Sequence, residues 1–232
     1  AMSERQTGSS IKPLVDIAPG LEEKAITAST VFDDTRTQFK GLTYIPKNAG
    51  GYQGLCTVRK AIEVSSNIVN MKVLYTVGIN KAIDYLHEFG LTTYTKEEDS
   101  MLTLGIGGAT HGSSTLQMAA AYATLANKGV YIEPTFYTKL TDSEGKTVVE
   151  PKQENRRVIS EANAFIISDI LTDVVTGYSG TANACAISGM DVACKTGTTD
   201  SDTNVWLCGY TPYYAGATWY GFDAGEIELY QI

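Results

Sequence analysis

The sequence predicts a mixed α/β fold, helical through its middle and closing in an antiparallel sheet, and three observations carry that reading. Apolar residues recur at helical spacing in five stretches up to residue 127. After residue 190 the period shortens to two, in three runs separated by turn residues. Finally, 43% of the 232 residues are apolar and 19% charged, enough to bury a core and too apolar for disorder.

The first helix is expected over Ser9 to Lys24, with small hydroxyl residues at its start and Ile11, Leu14, Val15 and Ile17 on its apolar side. Pro13 suits a first turn, where no intrahelical N–H bond is lost. Thr27 to Gly54, rich in Thr, Gly and Asn, reads as an irregular connection. Helical spacing returns in Thr57 to Val64, Val69 to Val77 and Ile79 to Phe89, which Gly90 ends, and again from Ser113 to Asn127, with Ser113 or Ser114 as cap. Residues 25–130 are thus expected to be mainly helical. In 135–150 the alternation of Phe136, Thr138 and Leu140, the turn Asp142-Ser143-Glu144-Gly145 and the return Thr147-Val148-Val149 predict a small hairpin. Ser160 to Thr176 reads as an amphipathic helix with Phe165, Ile166, Ile170, Leu171 and Val174 inward. Within 186–222, Met190 to Thr196, Asn204 to Tyr210 and Gly216 to Phe222 are expected as three strands.

Charge and composition exclude several functions. The net charge is −8 and no basic run exceeds Arg156-Arg157, so nucleic acid is not an expected partner. The longest apolar stretches, such as Met118 to Ala126, are too short to cross a bilayer, and Ala1 to Arg5 lacks a signal-peptide pattern. Cys56, Cys185, Cys194 and Cys208 are irregularly spaced and the histidines number two, so no metal site is expected. Cys194 and Cys208 would face each other if a hairpin turned at Ser201; two buried free thiols are the favoured reading.

Chemistry enters with Ser9-Ser10-Ile11-Lys12, of the form S-x-x-K. Residues i and i+3 share a helical face, so the Lys12 amine stands near the Ser9 hydroxyl, and a lysine kept from water can lose its proton and serve as base. A second copy, Ser143 to Lys146, falls on a glycine-containing turn that fixes no common face and reads as surface. Ser65-Ser66-Asn67 is S-x-N at the junction of two expected helices, where a hydroxyl and an amide project together. Lys195-Thr196-Gly197, followed by Thr198-Thr199, sits in an apolar strand, where the lysine offers positive charge and Gly197 permits close backbone approach. Each pattern alone has an ordinary explanation: a cap, a capping turn, a strand end. Their occurrence in the order S-x-x-K, S-x-N, K-T-G makes coincidence a poor account.

By these motifs the chain resembles the transpeptidase domain of class A, bifunctional penicillin-binding proteins, over nearly its whole length. Arg5 to Pro13 resembles the family's nucleophile segment, with Thr7 where proline is usual; Tyr52-Gln53-Gly54 and Thr57 to Ala61 resemble the lead-in to its second motif. Thr115 to Ala119 through Gly129-Val130-Tyr131 is similar to the helix behind the site, and Trp206 with Gly209 to Pro212 to the segment after K-T-G-T-T. Cys194 departs from the usual glycine. The resemblance implies a penicillin-binding-protein and serine β-lactamase-like fold, an antiparallel sheet flanked by helices plus a helical subdomain. It also implies that Ser9 attacks a D-Ala-D-Ala stem peptide, Lys12 takes its proton, Ser65 relays a proton to the departing D-alanine and Asn67 holds the peptide amide. Lys195 would supply positive charge, Thr196 and Thr198 would hold the substrate carboxylate beside Gly197, and the N–H groups of Ser9 and Thr198 would form the oxyanion hole. Peptidoglycan stem peptides and β-lactam antibiotics are the implied partners, with no cofactor and no metal.

Two rivals share this chemistry. A class A β-lactamase would carry E-x-x-x-N after the second motif, and no glutamate from Glu88 to Glu161 has Asn four residues on. A β-lactam sensor domain would differ in what precedes it. Only eight residues come before Ser9 and the chain stops at Ile232, so the family's N-terminal strands and C-terminal helix are expected to be missing. The 232 residues therefore read as part of a D,D-transpeptidase domain. The implied remainder is a glycosyltransferase module with a membrane anchor, on the extracytoplasmic face of the bacterial cell membrane.

Overall fold

The computed structural model describes residues 2–223 and 227–229; Ala1 and Ile232, the two ends of the chain, lie outside them. The first helical run is three short segments end to end: a 3-10 turn at Gly8–Ile11, a π turn at Pro13–Ile17 and α1 (Ala18–Glu22). Lys12 N–H takes the Ser9 carbonyl, and Pro13 has no N–H to offer, so the winding widens until Ala18 N–H reaches the Pro13 carbonyl. Ile11, Leu14, Val15 and Ile17 are buried, as their spacing requires.

Residues 27–54 are not wholly irregular. β1 (Val31–Asp34) pairs antiparallel with β2 (Gly54–Thr57), Asp34 lying opposite Gly54. Four-residue strands with Val31 and Leu55 turned to solvent leave no apolar alternation to read. α2 (Val58–Glu63), α3 (Asn67–Val77) and α4 (Ile79–Glu88) follow, and Gly90 ends α4 at φ +84°. α5 (Thr115–Ala126) starts at Ser114, whose hydroxyl accepts from Gln117 N–H while the Gln117 side chain returns to the Ser114 backbone. β3 (Val130–Ile132) and β6 (Asn155–Arg157) form an unanticipated antiparallel pair, three residues each and remote in sequence. Between them, β4 (Leu140–Thr141) and β5 (Thr147–Val149) make the expected hairpin, shorter than its alternation suggested.

α6 (Glu161–Thr176) buries Ala164, Ile167, Ile170, Leu171 and Val174. Phe165, expected inward, is 72% exposed, because it lies about 100° around the helix from that stripe. β7 (Ala193–Thr198), β8 (Asn204–Tyr210) and β9 (Ala215–Gly221) form the three-stranded antiparallel sheet. α5 packs on β8 and β9, α6 on β7, and the 3-10 turn at residues 8–11 on β7 and β8. Trp206, Cys208 and Tyr210 point into this core, while Leu207 faces outward.

The hairpin places Cys194 opposite Gly209 and Lys195 opposite Cys208. Paired residues share a face and adjacent residues alternate, so Cys194 and Cys208 lie on opposite faces of the sheet. They do not meet; both are buried free thiols. The same register turns Lys195 toward the core.

Candidate active site

Residues 7–10 lie against β7 at a distance no side chain could occupy. A Cβ on Gly8 would stand 2.7 Å from the Thr198 carbonyl oxygen, and one on Gly197 would stand 2.3 Å from that of Thr7. Gly8 also has φ +51°, a conformation glycine adopts at little cost. Three hydrogen bonds pin the turn: Tyr122 O–H to the Ser10 carbonyl (2.6 Å), Ser10 O–H to the Thr7 carbonyl (2.7 Å) and Trp206 Nε1–H to the Gln6 carbonyl (2.8 Å). Ser9 is thereby fixed beside Thr198 on a cleft of about 820 Å3 that Ser65, Asn67, Thr196 and Gly197 also line.

Ser65 is presented by the end of α2. Ser66 N–H returns to the Ala61 carbonyl and Ser65 N–H to the Ile62 carbonyl, a Schellman termination with Ser65 at φ +57°. A serine in this left-handed conformation is costly, and here it turns the hydroxyl into the cleft. Ser66 then caps α3, its Oγ accepting Val69 N–H.

Two lysines converge on that serine. Lys12 Nζ donates to the Ser65 carbonyl (2.9 Å), Ser65 Oγ (3.3 Å), the Ser66 carbonyl (3.4 Å) and Asn67 Oδ1 (2.8 Å). Lys195 Nζ donates to Ser65 Oγ (2.9 Å) and to the Thr196 carbonyl (3.0 Å). Both side chains are wholly buried. Burial first, and the neighbouring Lys195 charge second, push the Lys12 amine well below its usual range. Burial brings Lys195 down to about 7. Such a pair holds a neutral amine near pH 7, next to a hydroxyl able to pass a proton.

The profile of the penicillin binding protein transpeptidase domain matches residues 1–223. The chain belongs to that family. Penicillin-binding protein 1A of Clostridium botulinum (strain Hall) is 38% identical over 227 residues, 94% of this chain and 27% of its own length. Penicillin-binding protein 1F of Bacillus subtilis is 34% identical over 233 residues, 97% of this chain and 31% of its own. Among solved structures, penicillin-binding protein 1A from Haemophilus influenzae has a TM-score of 0.80 at 28% identity, covering 95% of this chain and 38% of that one. The D,D-transpeptidase domain of the peptidoglycan glycosyltransferase from Eggerthella lenta has a TM-score of 0.77 at 25% identity, covering 94% and 60%. This chain therefore spans less than a third of the length of these two sequence relatives. Among the described residues, no helix is long and apolar enough to cross a membrane.

In this penicillin-binding transpeptidase fold the three motifs meet as their order implied, with one difference. The Lys12 amine, expected next to the Ser9 hydroxyl, spends its described hydrogen bonds on Ser65, Ser66 and Asn67. A buried amine gains more from four oxygens across the cleft than from one hydroxyl on its own turn. Asn67 is held from two sides, accepting from Lys12 and donating Nδ2–H to the Lys47 carbonyl (2.7 Å). Thr196 Oγ1 lies 2.8 Å from Thr181 Oγ1. Thr199 N–H donates to the Asn204 carbonyl, and strand alternation then turns Thr198 N–H away from β8.

Sequence reasoning missed the residues that brace the second motif. Asn48 Nδ2 donates to both oxygens of the buried Asp34 (2.8 and 3.0 Å), and Asn48 Oδ1 accepts Asn67 N–H (2.7 Å) and Ile68 N–H (3.2 Å). Asp34 also accepts Ser66 O–H (3.0 Å) and Gln53 N–H (3.1 Å), so one carboxylate ties β1, the 47–53 segment and the start of α3 together. Only the acid-rich end of Val31–Asp34 hinted at this, and it reads equally well as a solvated turn. Asp16, one helical turn beyond Lys12, is wholly buried, and among the described residues neither of its carboxyl oxygens has a hydrogen-bond partner. Burial pushes its pKa well up, opposed by the Lys12 charge.

Proposed function

We propose that this chain is the acyl-transfer part of a peptidoglycan cross-linking protein, a serine-type D-Ala-D-Ala transpeptidase that β-lactams acylate on Ser9. The observation that carries this reading is the convergence of two buried lysine amines on Ser65 Oγ, in the cleft that holds Ser9. Lys12, kept neutral, accepts the Ser9 proton as Oγ attacks the penultimate D-alanine carbonyl; the hydrogen bond this needs tightens when substrate fills the cleft. The N–H groups of Ser9 and Thr198 face the oxygen on which negative charge develops. Ser65 passes the proton to the departing D-alanine amine, while Lys195, Thr196 and Thr198 hold its carboxylate and Asn67 the peptide amide. The amine of a neighbouring stem peptide then takes the acyl group, forming the cross-link. We read residues 1–232 as part of the D,D-transpeptidase domain. That the Eggerthella lenta domain belongs to a peptidoglycan glycosyltransferase supports a glycosyltransferase module elsewhere in the protein; a membrane anchor and a place on the outer face of the cell membrane are part of the same proposal.

Ser9→Ala should leave the fold intact and abolish covalent labelling by a fluorescent penicillin. Labelling that persists in the variant removes Ser9 from the mechanism.

The pH profile provides a second test. A lysine is charged below its pKa, so the Lys195 charge is present below about 7 and is lost as pH rises through that value. Acylation kcat/KM for a carboxylate-bearing penicillin should fall on this alkaline limb, through a rise in KM. In Lys195→Arg, whose guanidinium stays charged, the limb should disappear even if the maximum rate drops. A limb unchanged in Lys195→Arg would assign it to another group.

A further inference from the structure

Cys185 and Cys194 come together on the face of β7 that does not carry Lys195. Side chains alternate along a strand, so Cys194 and Thr196 share that face while Lys195 takes the other. Thr196 Oγ1 lies 2.8 Å from Thr181 Oγ1, which lays the segment after α6 against the strand. From Thr181 the chain continues through a 3-10 turn at Asn183–Cys185, reverses where Ile187 bridges antiparallel to Met190, and enters β7 at Ala193. That reversal returns the chain beside Cys185 just as β7 begins. Cys185 is half-buried and packs on the core to which Cys194 belongs, whereas Cys194 itself is 2% exposed. Burial, then the charge of Cys185 and a hydrogen bond between the two thiols, pushes the Cys194 thiol up to about 12, so the sulfurs are direct neighbours.

We infer that Cys185 and Cys194 are a site of reversible disulfide formation, made by exchange with a low-molecular-weight disulfide. This stands apart from the proposed transpeptidase function. The remaining two cysteines are placed otherwise: Cys208 lies across the sheet from Cys194 with its thiol bonded to Ser10, and Cys56 Sγ donates to the Thr57 carbonyl on β2.

Exposure sets the order of events. Cys185 is the sulfur a reagent can reach and Cys194 the one it cannot. Cys185, its proton given to water, attacks one sulfur of the oxidant R–S–S–R; that S–S bond breaks, and one R–S⁻ leaves and takes up a proton. Cys194 then loses its proton as it attacks the Cys185 sulfur of the mixed disulfide, expelling the second R–S⁻, which is protonated in turn. Two protein thiols become one disulfide and the oxidant becomes two thiols, so electrons and protons balance. The new bond fastens the segment that carries Thr181 to β7 beside Lys195, and so holds the wall of the main cleft that Thr181 and Thr196 form.

The test incubates the chain with oxidised glutathione, then denatures it and counts its free thiols. The four thiols should fall to two, and peptide mapping should link Cys185 to Cys194. Closing so short a loop should raise Tm by roughly 5 °C, and dithiothreitol should reverse the rise. In Cys185→Ser the remaining thiols should all stay free, and glutathione should leave Tm unchanged. Four thiols that stay free in the unaltered protein would overturn the inference. So would a glutathione adduct that persists on Cys185, a disulfide-linked dimer, or a bond from Cys194 to Cys208.

Discussion

Replacing Lys12 with methionine should slow acylation by a fluorescent penicillin by about 10²–10⁴-fold, the usual contribution of a positioned general base. Methionine matches the lysine stem in shape and removes an amine that burial already holds neutral, so the fold should survive. Lys12→Arg separates the role of base from that of fixed positive charge. Arginine keeps a positive charge but cannot accept a proton at any working pH. If Lys12 acts as base, arginine should fail as completely as methionine; if charge alone mattered, arginine would retain most of the rate. The comparison is made by labelling kinetics, with circular dichroism to check folding. A methionine variant acylated at the normal rate would exclude Lys12 as base.

Gly197→Ala should have the next largest effect, on stability and on rate. A Cβ there would stand 2.3 Å from the Thr7 carbonyl oxygen and 2.8 Å from Ser10 N, both backbone atoms without freedom to swing aside. The turn carrying Ser9 must then lift off β7, at a cost of about 2–4 kcal/mol. In a domain of this size that lowers Tm by roughly 5–15 °C. It also parts Ser9 from Thr198, and a displacement of about 1 Å at a reacting pair costs on the order of 100-fold in rate. Gly216→Ala is the control: nothing lies within 4 Å of a Cβ at that position of β9, so both quantities should stay nearly unchanged. Equal melting temperatures for the two variants would mean that the turn and β7 are not held together as tightly as their backbones imply.

The reach of the sequence can be judged from particular elements. α2 to α6 and the last two strands were legible because each buries a stripe or alternates over enough residues for periodicity to show, and β7 because its apolar run is bounded by turn residues. β1 with β2, and β3 with β6, were not: each strand has three or four residues and its partner is remote in the chain. Phe165 went astray because a helix has more apolar residues than its inward stripe can hold. In the candidate site, Ser9, Lys12, Ser65, Asn67 and Lys195 stood out because three short motifs, each ordinary alone, occur together in the order that resembles the penicillin-binding family's. Asp34 and Asn48 gave no such signal, since a brace is defined by what it touches and not by its neighbours in the chain.

By itself, then, the sequence determined which side chains with reactive chemistry the protein carries, in what order, and on what kind of local element. Only the tertiary structure decided that the Lys12 amine crosses the cleft to Ser65 and Asn67, that the β7–β8 register turns Lys195 inward beside Cys208, and that both amines lose their water. The reason is physical: spacing along a chain fixes which face of a helix or strand a residue occupies, whereas desolvation, and with it the lowered pKa of both lysines, depends on every segment folded around them.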